Sequence, residues 1–292
     1  MNRRRADLAL ALNTVLWGAT FILVKAALHN ISAVLFLALR FGLAALALVV
    51  TFRKRLFAEE WRGPWLSATL TGIFLFGGYF FQTQGLRFTT APKSAFLTGL
   101  TTVMVPLAGA LVYRLRPQIS EVVGVMVATL GMGLMTLEGP IGSMGRGDVL
   151  TLLGALAFAG HIVTLGHFSA LVSFPVLSIT QIGSAALCAA VLLPWVETPH
   201  ITLQPLVIWA ILITGLLCTG LAFTVQAWAQ RYTTSTRTAL IYALEPVVAW
   251  ITSYVIAGET LSGRAAAGAA LILGGVVLVE VKPLDSPAHP RK

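Results

Sequence analysis

Long apolar runs alternate with short polar breaks along the whole chain. The apolar segments lie near residues 6–28, 32–52, 64–85, 93–114, 119–137, 148–168, 175–195, 204–229, 236–257 and 262–281. The breaks carry Gly, Pro or charge, as in "FRKRLFAEEWRGP", "RLRPQ", "EGPIGSMGRGD" and "ETPHITLQP". None is long enough to form a domain. A helix needs about 20 mostly apolar residues to cross a bilayer. The pattern therefore predicts an all-α integral membrane protein of about ten transmembrane helices.

Composition removes the soluble alternative. Only 11% of the 292 residues are charged and 57% are hydrophobic, with a mean hydropathy of +0.85. A soluble domain carries roughly 25% charged residues, and this chain lacks the polar side chains to cover a water-facing surface. The net charge of +9 fits cationic residues retained in cytoplasmic loops. No basic stretch is interleaved with aromatics for base stacking, so no nucleic-acid partner is expected. With the N-terminus inside, 14 Lys and Arg fall on inner segments, among them Arg3, Arg53, Arg114 and Arg231. Only five fall outside: Lys25, Arg87, Lys93, Arg146 and Arg264. This bias predicts a multi-pass protein of the inner or plasma membrane with both termini cytoplasmic. The opening "MNRRRADLALAL" has the look of a signal peptide. Its apolar run continues to Leu28 with no A-x-A-like site, and it reads as a retained first helix. Cys188 and Cys218 lie in apolar spans and form no disulfide or metal pattern.

Two stretches read alike. "QTQGLRFTTAPKSAF" (82–96) lines up with "QAWAQRYTTSTRTAL" (226–240), and "LRFGLAAL" (39–46) with "TQIGSAAL" (180–187). Gln, an aromatic, a Thr-Thr pair, a cation and Ala recur in order, at offsets of about 141 to 144. The units implied are a first five-helix repeat at 1–140, a second at 147–283 and a cytoplasmic tail at 284–292. Five is odd, so the second unit enters the membrane from the opposite side. Such inverted repeats build many secondary transporters.

The sequence resembles the EamA type of the drug/metabolite transporter superfamily. The stretches that carry the likeness are "WGATFILVKAAL", "LRFGLAAL", "SAFLTGLTTVMVPL", "ALIYALEPVVAWITSYVIAGETLS" and "GAALILGGVVLVE". They span nearly the whole chain, each weak alone and distinctive in order. The resemblance implies two five-helix bundles around a central cavity and movement of small metabolites, often by export. It does not fix the substrate. Gly166 falls where Lys25 would repeat and Gln181 where Arg40 would, so the cavity should be chemically asymmetric.

The polar residues at depth are the candidate chemistry. Lys25 lies about 28 Å along the first helix, either reaching the outer headgroups or serving as an outer-gate cation. Arg40 lies about 12 Å into the second helix, where a cation costs about 2.5–3.5 kcal/mol on insertion scales and needs a partner. Glu245, beside Pro246 in the ninth helix, is the best candidate partner; it serves either as a structural hydrogen-bonding group at the kink or as a proton carrier. Pro246 is expected to kink the ninth helix, and Pro106 and Pro246, each internal to the corresponding helix of its half, are candidate coupling or gating positions with Lys25 and Glu245. His161 aligns with Thr20 in the repeat and is kept as a substrate contact. Trp17, Tyr79, Phe158, Trp228 and Tyr242 are expected at mid-depth as an aromatic wall, with Gln82, Gln181 and Gln226 adding hydrogen-bonding capacity. Trp61, Trp65, Trp195 and Trp209 suit interfacial belts. Gly99, Gly131, Gly133, Gly274 and Gly275 suit close helix packing, and Gly18 suits bending.

Only 11 acidic residues are present, most at loops or termini, and no paired carboxylates, metal set or nucleophile with its base stands out. The chain is thus read as no enzyme, with no catalytic residue, metal or cofactor. "GMG" and "LILGG" lie in apolar helices and make no phosphate loop. The expected function is export of an amino acid or similar amphiphilic solute by alternating access, without ATP hydrolysis. A lipid scramblase or structural membrane protein is the alternative. The expected partners are the solute and the lipid bilayer, with no nucleic acid; a monomer is plausible, and the sequence leaves the oligomeric state open.

Overall fold

A computed structural model of the protein describes residues 3–56, 65–89, 91–115, 117–136, 144–257 and 262–281. Within these residues each apolar run is helical. In hydrocarbon no water can bond an exposed N–H or C=O, so the backbone must satisfy itself. The helices are α1 (Arg3–Ala27), α2 (Ala33–Thr51), α3 (Trp65–Gly85), α4 (Ala91–Gly99 and Thr101–Tyr113) and α5 (Ile119–Thr136). The second set is α6 (Arg146–Ser169), α7 (Phe174–Val196), α8 (Pro205–Ala229), α9 (Ser235–Tyr242 and Glu245–Ala257) and α10 (Gly263–Val281). They run up and down, two inverted five-helix repeats. Six stretches, α1, α2, Ser94–Tyr113 of α4, α6, α7 and α8, are long and apolar enough to span a membrane.

The packing is inside-out relative to a soluble protein. Leu111, Ile119 and Trp195 are each more than four-fifths exposed, as suits contact with lipid. Arg40, His161, Gln181, Gln226 and Arg237 are buried. Trp195 and Trp209 are exposed near their helix ends, consistent with belts; Trp61 lies outside the described residues.

The repeat is visible in how the halves meet. Gly124 and Gly131 of α5 recur as Gly268 and Gly275 of α10, 144 residues later. A Cβ on Gly131 would lie 2.5 Å from the Gly268 carbonyl, and one on Gly268 would lie 2.5 Å from the Gly131 carbonyl. Gly124 and Gly275 meet in the same way, at 2.8 and 2.6 Å. Each contact is the image of the other under the exchange of halves, which marks a local two-fold axis between α5 and α10. Gly274 was expected to share this packing, but it faces open space. Gly18 packs α1 against α9, where its Cβ would lie 2.8 Å from Val248.

The two broken helices are also counterparts. α9 breaks at Ala243–Leu244, just ahead of Pro246, which cannot donate to the carbonyl four residues back. α4 breaks at Leu100 rather than at Pro106, which lies inside Thr101–Tyr113. There the weak helix former Gly99 is followed by Thr101 and Thr102. Their hydroxyls turn to other helices, donating to Ala155 O and Ala239 O at 3.2 and 3.1 Å. At the end of the bundle where α1 finishes, loops of the two halves pair through an antiparallel bridge, Ile31 to Ile201. Glu197 then caps α2, accepting from Val34 N and Leu35 N at 2.8 and 2.9 Å.

Candidate functional site

Arg40 anchors the interior. Seven residues into α2, it lies about 10 Å from the end of that helix and is 4% exposed. Its Nε donates to Thr219 Oγ1 at 2.6 Å and its Nη2 to the Tyr79 hydroxyl at 3.0 Å. A guanidinium has five N–H donors, so three have no partner among the described residues. The expected ion pair with Glu245 is not formed: among the described residues no carboxylate lies within 4.0 Å of Arg40. Thr219 and Tyr79 take its N–H groups instead. Glu245 is nonetheless within electrostatic reach of Arg40 and keeps part of its surface accessible.

An aromatic cluster adjoins this charge, the guanidinium lying over the Tyr79 ring at 4.3 Å from its centroid. Tyr79 meets Phe41, Phe158 and Phe223 edge-on, with centroids 5.6, 5.2 and 6.1 Å apart. Trp17 packs on Phe223 at 5.3 Å and on Tyr242 at 4.8 Å. Edge-to-face rings at such distances lock one another. Trp17, Thr20, Tyr79, Phe158 and Tyr242 are only partly buried, although all lie on inward helix faces.

A distortion in α8 supplies the polar backbone. Residues Leu216–Leu221 form a π-helical turn, a feature frequent at functional sites. In and beside it, carbonyls become available to other helices. Trp17 Nε1 donates to Cys218 O at 2.8 Å, Asn13 Nδ2 to Ala222 O at 2.7 Å and Gln181 Nε2 to Phe223 O at 3.4 Å. Thr20 Oγ1 bonds back to Leu16 O at 2.9 Å and touches Cys218 Sγ at 3.4 Å. His161 Nε2 pairs with Gln181 Oε1 at 2.9 Å, edge-on to Phe223. The Tyr242 hydroxyl is buried beside the Asn13 side chain, near hydrogen-bond reach but without a well-formed bond among the described residues.

Of the residues singled out in the sequence, Trp17, Thr20, Arg40, Tyr79, Phe158, His161, Gln181 and Tyr242 converge here. Others lie apart. Trp228, expected at mid-depth, sits one residue from the end of α8 and packs on Tyr232 at 5.6 Å. Gln82 ties α3 to α4 through Thr98 Oγ1 at 3.2 Å. Gln226 bonds Gln230 at 3.0 Å. Lys25 is exposed in the last turn of α1. Asn13, Phe41, Thr219 and Phe223 are site residues that the sequence reading missed. Phe41, Phe223 and the small Thr219 carry no signal of their own within apolar spans, whereas Asn13, a lone amide in the first span, carried the same signal as Gln181 and was passed over; nothing in "LLCTGL" (216–221) announces a π turn.

Comparison with known proteins follows the same lines. The profile of the EamA-like transporter family matches the chain twice, over residues 4–137 and 145–281. An uncharacterized transporter of Archaeoglobus fulgidus is 33% identical over 282 residues, covering 97% of this chain and 88% of that protein. A protein of Salmonella typhimurium named as a probable amino-acid metabolite efflux pump is 29% identical, covering 95% of each chain. One crystal structure superposes with a TM-score of 0.80 at 20% identity, covering 96% of this chain and 98% of the other.

Proposed function

The chain belongs to the EamA-like transporter family, and we propose that it exports an amino acid or a similar small amphiphilic metabolite by alternating access. It is a multi-pass membrane transporter; the solute, the direction and the mechanism are the proposal. The observation that carries it is the mid-span Arg40. Its guanidinium is desolvated, lies over the Tyr79 ring at 4.3 Å and keeps three N–H groups uncommitted among the described residues. Such a group is suited to grip a carboxylate in a two-pronged hydrogen bond. Glu245, near but not in contact, is placed to receive an ammonium. Trp17, Phe158 and Tyr242 would cover the apolar part of the solute. One cation cannot neutralise a polyphosphate, which would want several converging ones.

The site lies between helices of both halves: α1, α2 and α3 from the first, α6, α7, α8 and α9 from the second. Rocking of the halves about the α5–α10 axis would open it to each side in turn. The name of the Salmonella typhimurium relative supports an amino-acid-like solute and outward movement. The Lys and Arg bias supports an inner-membrane protein with cytoplasmic ends. Purified protein in liposomes loaded with unlabelled amino acids should take up labelled amino acid by exchange. No exchange across a full panel of amino acids and their deaminated analogues would overturn the proposal.

A further inference from the structure

Two acidic residues in equivalent places bind opposite ends of the bundle, each reaching into the other half. Asp7 is the fifth residue of α1, and Asp148 the third of α6. At the end where α1 begins, Asp7 Oδ2 lies 3.4 Å from Arg237 Nη2 in α9. Arg237 Nη1 donates to Val279 O of α10 at 2.7 Å. Next to it Thr234 Oγ1 donates to Glu121 Oε1 of α5 at 2.8 Å. At the opposite end Asp148 Oδ1 accepts from Thr89 Oγ1 at 2.7 Å, and Thr89 is the repeat counterpart of Thr233.

Stability alone does not explain the first of these. Asp7 and Arg237 are 6% and 4% exposed. A buried ion pair is often no more stabilising than an apolar pair of similar volume. Among the described residues Asp7 Oδ1 is moreover buried without a hydrogen-bond partner, a standing cost. Asp7 lies beyond the N-terminal positions at which a carboxylate caps its own helix. What the pair does supply is a link between halves: Asp7, with Arg3 of its own helix at 4.0 Å, meets the Arg237 guanidinium only where α1 of one half touches α9 of the other.

We propose that Asp7 and Arg237 form a latch that holds the α1-start end of the bundle shut, and that Asp148 with Thr89 is its counterpart at the other end, the two parting alternately. The idea rests on the alternating-access reading above, but its test reads accessibility and needs no transported solute. A Thr20→Cys reporter, in a Cys188→Ala/Cys218→Ala background, is placed in oriented vesicles. A membrane-impermeant maleimide is applied from the side at which α1 begins. Asp7→Asn and Arg237→Gln should each raise the alkylation rate at least about tenfold, equivalent to about 1.4 kcal/mol. The charge swap Asp7→Arg/Arg237→Asp should return it to within about threefold of the parent. Asp148→Asn should raise the rate from the opposite side only. Unchanged rates in both neutral variants would overturn the latch, as would a swap that leaves the rate raised. Where a neutral variant does not purify folded, the swap decides alone: a parental rate supports the latch and a raised rate refutes it. Failure of wild-type exchange with these rates as expected would instead count against the transport reading.

Discussion

Replacing Arg40 by Gln removes the charge at the centre of the site while keeping a polar side chain of similar reach. Three of the five guanidinium N–H groups are uncommitted among the described residues, so a carboxylate can take two of them side by side. A hydrogen bond to a charged group contributes about 1.5–3 kcal/mol. Losing two, at the lower value, costs about 3 kcal/mol, or roughly a hundredfold in Kd at 1.4 kcal/mol per decade. Arg40→Lys keeps the charge but not the two-pronged geometry, and should fall between, at about tenfold. Tyr79 remains packed among Phe41, Phe158 and Phe223, so the aromatic wall should survive the change. The assay is titration of the exchanged solute against detergent-purified protein, with a melting curve to establish folding. A folded Arg40→Gln variant that binds within about threefold of the parent would show that this guanidinium is structural, and the reasoning from its uncommitted donors would fail.

Other outcomes follow from the same geometry. Glu245→Gln should weaken binding of an amino acid by about tenfold, the loss of one charge-assisted bond, while leaving its deaminated analogue unaffected; equal effects on both would refute the ammonium assignment. Gly131→Ala places a Cβ 2.5 Å from the Gly268 carbonyl and should cost about 1–3 kcal/mol as overpacking; an unchanged melting temperature would contradict so close an approach of α5 and α10. Trp17→Phe keeps a ring but strands the Cys218 carbonyl of the π turn, and should destabilise by about 1 kcal/mol in thermal melts; a neutral result would mean that water already serves that carbonyl.

The spans were legible because lipid imposes two plain requirements, length and apolarity, on every helix that crosses it. Apolar runs such as 175–195 and 204–229 became α7 and α8 with ends displaced by a residue or two. The inverted repeat was legible through polar matches, and its consequence, the paired glycines of α5 and α10, needed the two chains of the repeat brought face to face. Pro246 announced the break in α9, whereas the break in α4 falls at Leu100, six residues ahead of Pro106, with no proline to announce it. In the site, Arg40, Tyr79, Trp17, His161 and Gln181 could be named from residue type and depth. Their partners could not: Arg40 was matched with Glu245 on charge, but its bonds go to a threonine and a tyrosine on other helices. Trp228 was placed near mid-depth although the predicted span 204–229 already set it one residue from the end, which is where it lies in α8.

The central claim is a hollow at mid-membrane, shared by two inverted halves and open to one side at a time. The most direct measurement is alkylation of the Thr20→Cys reporter from each side of oriented vesicles, with and without the exchanged solute. The account predicts reaction from both sides and protection from both by saturating solute. Reaction from neither side, or reaction that the solute leaves unchanged, would contradict it.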